Sequence, residues 1–191
     1  MVYVGLGALA FLIACLFDLA AVRGIPYLKQ ASGALVVLLF TYALIAAALY
    51  PDKLPLPGWP TAAGWLLSAV FGFLLLYSLF LEIPFQRTYA ADGAGDELVK
   101  TGTYALVRHP GVLWLTGLLL ALVLASRSRL LLLAVPVWVL LDVLYVWVQE
   151  RFFFHRQFAG YVQYQQETPM LIPTRASVGR CWRTVGRRGR D

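Results

Sequence analysis

Charged side chains are scarce in this chain of 191 residues: Asp, Glu, Lys and Arg together supply 14% of it, whereas hydrophobic residues supply 60%. The mean hydropathy is +0.71. A soluble domain carries about 25% charged residues, so this composition excludes an ordinary soluble protein. The composition instead predicts an integral membrane protein.

Cysteine and histidine are equally rare, with two residues of each. Cys15 lies in the first apolar segment and Cys181 near the C-terminus, so we expect no disulfide between them. These few side chains also fall short of any recognisable set of metal ligands. We therefore predict no metal site.

Long apolar segments are present at 2–22, 31–50 and 62–83. Each reaches the roughly 20 residues that a helix rising about 1.5 Å per residue needs to cross a bilayer core about 30 Å thick. The apolar sequence after them splits around "ASRSR" into 111–125 and 130–149. We expect these two to form a helical hairpin whose first, shorter helix is tilted or spans incompletely. The predicted fold is an all-α, polytopic membrane helical bundle of about five transmembrane segments, with a C-terminal helical hairpin and a cytoplasmic cap.

The positions of the basic residues predict the orientation of the bundle. With the N-terminus outside, 13 of the 16 Lys and Arg residues fall on the inner side and only three on the outer side. Because basic loops are retained in the cytoplasm, we expect an outer N-terminus and a cytoplasmic C-terminus. The Leu-, Ala- and Arg-rich composition is typical of a high-GC bacterium and therefore favours the bacterial inner membrane.

The formal net charge of +6 comes mostly from the C-terminus, where six Arg and one Asp fall within the last 17 residues. We interpret residues 174–191 as a disordered basic tail that lies on anionic lipid headgroups, and not as a nucleic-acid-binding segment. The rest of the chain, 1–173, is predicted to be a single membrane domain.

Four carboxylates fall within or beside the apolar segments: Asp18, Glu82, Asp142 and Glu150. A carboxylate in a bilayer is costly unless it is paired or hydrated, so each is a candidate functional group. Structural roles remain open for the first three, as partners of water, of nearby Arg residues or of a neighbouring helix. The long inner loop from 84 to 110 is a further candidate, because loops of such length commonly carry function.

Two motifs stand at the ends of the predicted hairpin. "GTYALVRHPGV" precedes it, and "QERFFFHRQFAGYVQY", followed by "PMLIP", comes after it. The basic and aromatic residues of 151–165 also predict an amphipathic helix on the membrane surface. The spacing of Arg-His-Pro, of the glutamate about 40 residues later and of the two tyrosines after it resembles the integral membrane methyltransferases, which include isoprenylcysteine carboxyl methyltransferase and the phospholipid N-methyltransferases. The match covers about 101–173.

The chain departs from the family pattern at several positions. Thr103 replaces a proline, Val112 a tyrosine, and Gln149 the first of two glutamates, while Gln157 and Phe158 stand where Phe-Gly is usual. These departures concern the identity of the methyl acceptor more than that of the methyl donor, and they leave room for a changed or lost activity.

The resemblance implies S-adenosylmethionine as methyl donor, with S-adenosylhomocysteine as product. Arg108 or His109 would bind its carboxylate and Glu150 its ammonium, and these three are the predicted catalytic residues. The adenine of the donor would lie against Tyr161, Tyr164 and "TPMLIP", and the sulfonium of the donor against tyrosine rings or backbone carbonyls. The full set of cofactor-binding residues expected from the resemblance is Tyr104, Arg108, His109, Glu150, Tyr161, Tyr164 and Leu171.

Two other readings of the sequence remain open. One is a membrane reductase of the sterol type, which uses a nicotinamide cofactor, and the other is a non-catalytic membrane scaffold that has kept the fold. The methyl acceptor is also open between a lipid amine, an isoprenylcysteine-like carboxylate and a small hydrophobic metabolite. The sequence makes no prediction about the oligomeric state.

Overall fold

The computed structural model describes residues 1–83 and 98–185, and within these ranges the chain is helical and has no β-strand. Two helices end in π-helical segments, over Tyr77–Glu82 after α3 and Gln149–Phe154 after α6. The helices are α1 (Val2–Val22), α2 (Pro26–Ala48), α3 (Trp59–Leu76), α4 (Thr103–Leu106), α5 (Pro110–Ser126), α6 (Arg129–Val148), α7 (His155–Gln157), α8 (Tyr161–Glu167) and α9 (Arg175–Thr184).

Four of these helices are long and apolar enough to cross a membrane: Val2–Val22, Pro26–Ala48, Trp59–Glu82 and the continuous run Arg129–Gln157. The fifth apolar helix, Pro110–Ser126, is shorter, with 17 residues. The predicted helical membrane bundle and the short first helix of its C-terminal hairpin are thereby confirmed. The chain is an integral membrane protein.

The bundle is built from two helix pairs and a central helix. α1 packs along α2, α3 packs along α5, and α6 contacts α1, α2 and α5. The α3–α5 pair is close because Gly64 has no side chain: a Cβ there would lie 2.4 Å from the backbone nitrogen of Ala125. Trp138 of α6 is fully buried and donates an indole hydrogen bond to the carbonyl of Val4 over 3.0 Å.

Large apolar side chains cover the outside of the bundle. Leu38 of α2, Leu66 and Phe73 of α3 and Leu140 of α6 are all more than half exposed. In water such a surface would favour aggregation, but in a bilayer it contacts lipid tails. The exposed apolar faces therefore agree with the membrane assignment.

The two ends of the bundle differ in structure. At one end a tight turn joins α5 to α6 and contacts the segment after α2, where the Leu54 amide donates to the carbonyl of Arg127 over 2.6 Å. At the opposite end α3 and α6 become π-helical, and α4 and α7–α9 form a cap. Since π-helical segments change the direction of side chains and recur at functional sites, this capped end is the candidate location of the functional site.

Two expectations from the sequence need correction. The single amphipathic helix over 151–165 is wrong, because the helix from α6 ends at Gln157 and a new one starts at Tyr161 after a turn. The tail is not disordered over Arg175–Thr184, where α9 begins with a capping box between Thr174 and Ser177. Most of the long inner loop, 84–97, and the last residues, 186–191, lie outside the described residues.

Candidate functional site

Arg108 and His109 lie in the short extended link between α4 and α5. His109 is the residue before the helix, and Pro110 takes the first helical position, where its missing N–H is not needed. The backbone amides of Arg108 and His109 donate to the carbonyls of Pro169 and Met170, over 2.9 Å and 3.3 Å. The Arg-His pair is therefore fixed by the segment that follows α8.

The guanidinium of Arg108 forms a bidentate ion pair with the carboxylate of Glu150. Its Nε lies 2.7 Å from Oε1 and its Nη2 lies 2.9 Å from Oε2. Nη1 donates to the carbonyls of Gln165, over 3.1 Å, and of Thr168. Both charged side chains are only 10% exposed, so the pair is shielded from water. Such a parallel pair is stronger than a single contact and holds both groups in one orientation.

Glu150 receives three further hydrogen bonds. His109 Nε2 lies 2.9 Å from Oε1, the Tyr161 hydroxyl donates to Oε1 over 3.0 Å, and Gln165 Nε2 donates to Oε2 over 3.0 Å. A carboxylate has about four lone-pair positions, so these five donors occupy all of them, and at least one position is shared. Glu150 is thus the shared acceptor that joins α5, α6 and α8.

The protonation states around Glu150 follow from burial and charge. Burial lowers the pKa of the His109 imidazole, although the Glu150 carboxylate opposes this shift. A neutral imidazole whose Nε2–H donates to Glu150 keeps a lone pair on Nδ1. Within the described residues we find no hydrogen-bond partner for that nitrogen. Burial, reinforced by Glu150, raises the pKa of the Tyr161 hydroxyl, which therefore stays a donor.

A cavity of about 360 Å³ begins beside this cluster and runs into the bundle. Arg108 and His109 line it, whereas Glu150 does not and lies behind them. One wall is aromatic: Phe154 and Phe158 pack edge to face, with ring centroids 5.3 Å apart, and both contact the ring of Tyr161. The remaining lining is largely apolar and includes Leu75, Leu79, Ile83, Val112 and Leu115.

The other tyrosines expected at the site also line the cavity. The Tyr164 hydroxyl donates to the carbonyl of Tyr104 over 2.6 Å, and the Tyr104 hydroxyl donates to the carbonyl of Ser78. These bonds connect α8 to α4 and α4 to the π-helical end of α3. Leu171, in contrast, is not part of the cavity lining.

The three remaining membrane carboxylates lie in different surroundings. Asp18 lines the cavity and accepts a hydrogen bond from Gln149 Nε2 over 3.0 Å. Asp142 lines the cavity deeper in the bundle. Glu82 is outside the lining and accepts bonds from the backbone amide and the hydroxyl of Thr103.

Sequence reasoning missed several polar residues of this region. Gln165 completes the hydrogen bonding of Glu150, and Lys29 and Tyr145 line the cavity. Lys29 could have been recognised, because a lysine that is 3% exposed within an apolar helix must find a favourable environment. Gln165 offered no such signal, since glutamine is common on helix surfaces.

In the described part of the chain, no group of three or more His, Cys, Asp or Glu residues is placed to hold a metal ion. The site consists instead of an ion pair, a buried imidazole and aromatic rings beside a mainly apolar cavity. This composition resembles small-molecule sites, which are apolar with a few fixed polar groups.

The fold and the site together define a polytopic helical membrane protein with a buried polar cluster at one end of an internal cavity. No curated protein and no solved structure matches the chain at a significant level. A family model described as phospholipid methyltransferase matches residues 59–160, which is more than half of the 191 residues. The chain therefore belongs to the phospholipid methyltransferase family, a family of membrane methyltransferases. The resemblance drawn from the sequence motifs is thereby confirmed.

Proposed function

We propose that the protein transfers a methyl group from S-adenosylmethionine to a lipophilic acceptor at the cytoplasmic face of the membrane. The observation that carries this proposal is the cavity that joins the Arg108–His109–Glu150 cluster to an apolar interior in a chain of this family. Its volume of about 360 Å³ lies within the range typical of sites for drug-sized ligands.

The residues present fit the methyl donor in charge and shape. Its sulfonium is a cation, and the faces of Phe154, Phe158 and Tyr161 are favourable neighbours for a cation. Tyr104 and Tyr164 offer an aromatic surface for the adenine. His109 offers the lone pair of Nδ1 to a donor group, such as the ammonium of the amino acid end.

Arg108 and Glu150 contribute mainly by positioning in this proposal. Glu150 lies behind the cavity lining, and its oxygens already accept five hydrogen bonds from the protein. It therefore orients Arg108, His109 and Tyr161, while Arg108 presents positive charge toward the donor's carboxylate. The bound donor supplies the electrophilic methyl group, and the protein needs no nucleophile of its own.

The fixed cluster can accelerate transfer by holding donor and acceptor together in a dry space. Well-oriented reacting groups reach effective molarities of about 10⁵ M or more, so positioning alone accounts for a large effect. The acceptor would come from the apolar part of the cavity. A lipid amine, an isoprenylcysteine-like carboxylate and a small hydrophobic metabolite are all compatible with that route.

Equilibrium binding to the purified protein tests the donor. We expect the wild type to retain S-adenosylmethionine and S-adenosylhomocysteine but not a nicotinamide nucleotide. His109→Ala should weaken this binding, whereas His155→Ala, at an exposed position, should not. Retention of the nicotinamide nucleotide in place of S-adenosylmethionine would contradict the proposal and favour a reductase. Absence of both would favour a scaffold.

Labelled methyl donor tests the reaction. Membranes that contain the protein are incubated with S-adenosylmethionine labelled in its methyl group, and lipid and protein fractions are separated. Label in lipid identifies a lipid acceptor, and label in protein a prenylcysteine-like acceptor. No label above that of membranes with the His109→Ala variant would contradict the proposal.

The cytoplasmic location of the site is also a proposal, supported by the sequence, which assigns 13 of the 16 basic residues to the predicted inner segments. A fluorescent protein fused to the C-terminus should fold and fluoresce if the cap is cytoplasmic. An exported reporter, active only outside the inner membrane, should be inactive at the same position. The reverse pattern would invert the orientation.

A further inference from the structure

Among the described residues, the helix α9 has one face packed on the cap and another that is open. On the packed face, Ser177 is buried and the Thr184 hydroxyl accepts a hydrogen bond from the backbone amide of Gly102 over 3.0 Å. On the open face, Trp182 is 85% exposed, and Val178, four residues earlier, is more than half exposed. A short basic helix therefore presents a large apolar side chain outward.

The contacts of α9 fix its depth relative to the membrane. Thr184 is bonded to Gly102, and the backbone amide of Thr103, the next residue, donates to the carboxylate of Glu82 over 2.9 Å. Glu82 is the last residue of the membrane-spanning helix Trp59–Glu82. The C-terminal end of α9 therefore lies where a neighbouring span leaves the hydrocarbon core, at the level of the lipid headgroups. Tryptophan is favoured at that level, and arginine reaches the headgroups from it.

The charge beside the open face is of one sign. Arg175 and Arg183 are exposed, and residues 168–190 contain six Arg and no Asp or Glu. Arg175 shares the face of Val178 and Trp182, since these positions follow one another at three and four residues. An anionic membrane surface offers negative charge above an apolar layer, and so it complements both the arginines and the tryptophan.

The packed side of α9 contacts two of the elements that surround the cavity. α9 packs on α4, whose Tyr104 lines the cavity. Arg180 of α9 donates to the carbonyl of Glu167 at the end of α8, whose Tyr161 and Tyr164 also line the cavity. α9 therefore bridges α4 and α8 from outside.

We infer that α9 is a membrane-surface clamp: its open face binds anionic lipid headgroups, and this binding holds α4 and α8 around the cavity. Trp182 and Val178 lie at the boundary between headgroups and acyl chains, and Arg175 and Arg183 contact the headgroups. A disordered basic tail would bind the same headgroups by charge alone and would transmit nothing to the cavity. Neither the methyl donor nor the acceptor takes part in this contact, so its test is independent of the proposed function.

Amide hydrogen exchange of the purified protein in nanodiscs tests the clamp, because slower exchange reports a helix that opens less often. One set of nanodiscs contains phosphatidylcholine alone, and the other contains phosphatidylglycerol as well. We expect the amides of α9, α4 and α8 to exchange about tenfold or more slowly in the anionic nanodiscs, since each arginine near such a surface contributes about fivefold in binding. Equal exchange in the two lipids would overturn the inference. Slower exchange in α9 alone would overturn the coupling to the cavity.

Substitutions locate the lipid dependence. The double variant Arg175→Gln/Arg183→Gln should exchange at equal rates in the two kinds of nanodisc. The matched control is Arg151→Gln/Arg156→Gln, which removes the same charge from two exposed positions on other helical segments and should keep the lipid dependence. A dependence that survives in the first variant, or that disappears in the control as well, would overturn the assignment to α9.

The fluorescence of Trp182 identifies what covers the open face. The difference between the spectra of the wild type and of Trp182→Phe isolates this residue from the rest of the six tryptophans. In anionic nanodiscs we expect lipids brominated in their acyl chains to quench the difference signal strongly and iodide in the water to quench it weakly. The reverse pattern would place Trp182 in water, overturn the inference and favour a protein partner for this face.

Discussion

The side-chain amide of Gln149 donates a hydrogen bond to Oδ2 of Asp18 over 3.0 Å and so joins the end of α6 to α1. The same nitrogen lies 2.9 Å from the hydroxyl of Tyr145. Position 149 is one where the chain departs from the glutamate that the resembling family shows. With Asp18 opposite, an amide is the complementary side chain, because a glutamate would set two carboxylates side by side within the membrane.

Gln149→Glu should therefore destabilise the protein, by roughly 1–3 kcal/mol, since it removes a buried donor and adds a like charge. The measurement is the free energy of unfolding in detergent. Adding Asp18→Asn to the same chain should recover most of the loss. The side-chain amide at position 18 can then donate to the carboxylate at position 149, so the hydrogen bond is kept with its direction reversed. If Gln149→Glu is as stable as the wild type, the contact has no energetic role.

Glu150→Gln should lower the free energy of unfolding by about 3 kcal/mol, because it leaves the buried guanidinium of Arg108 without its counter-charge. The matched control is Glu167→Gln, which changes an exposed carboxylate whose contact is with the Gln163 amide. That control should change stability by less than about 0.5 kcal/mol. Equal effects of the two substitutions would mean that the cluster around Glu150 is not what stabilises this end of the bundle.

Tyr161→Phe distinguishes the contribution of the Tyr161 hydroxyl to stability from that of its ring. The ring keeps its contacts with Phe154 and Phe158, while the hydrogen bond to Glu150 over 3.0 Å is lost. We expect a loss of about 1 kcal/mol in unfolding free energy. Tyr27→Phe, at a side chain that is 85% exposed, is the control and should be neutral. A neutral Tyr161→Phe would show that the four other donors satisfy Glu150 without it.

The lowered pKa of His109 predicts a dependence of stability on pH. The unfolded chain takes up a proton on this histidine near pH 6.5, whereas the folded protein resists doing so until a lower pH. The contribution of His109 to stability is therefore present above about pH 6.5 and is lost as the pH falls through the folded pKa. Thermal unfolding of the wild type and of His109→Gln at pH 7.5 and 5.5 measures it. The wild type should lose more stability on acidification than the variant. A smaller loss in the wild type than in the variant would contradict the predicted direction of the pH dependence.

Gly102 combines a left-handed backbone, with φ of 61°, and a close approach to Glu82. A Cβ there would lie 1.9 Å from Oε1 of Glu82, whose carboxylate is held by Thr103. Gly24 is the matched control, since its φ is 65° but no atom of the described residues, its two chain neighbours apart, lies within 4 Å of its Cβ position. Gly24→Ala should lower the free energy of unfolding by about 1 kcal/mol, because of the left-handed backbone alone. Gly102→Ala should lower it by clearly more, because the new Cβ also meets Glu82. Equal costs would show that the Glu82–Thr103 contact adjusts freely.

The membrane helices were predictable to within a few residues because each depends on a local run of apolar side chains. The first span and the start of the C-terminal hairpin lie where the sequence predicts them. The break after Gln157 was not predictable in the same way, since the aromatic and basic residues on both sides of it continue one amphipathic pattern. The helix Arg175–Thr184 was not predicted, because its basic composition is also typical of disordered tails.

The sequence by itself determined that the chain spans a membrane and that Arg108, His109 and Glu150 stand at the two ends of a helical hairpin, because hydrophobic length and residue spacing are properties of the chain alone. Only the tertiary structure decided that Glu150 lies behind the cavity with five donors, that Gln149 contacts Asp18, and that Asp142 lines the cavity with no hydrogen-bond partner among residues 1–83 and 98–185. Those relationships depend on the rotation of each helix about its axis and on its register against its neighbours, and no local pattern in an almost uniformly apolar helix specifies either.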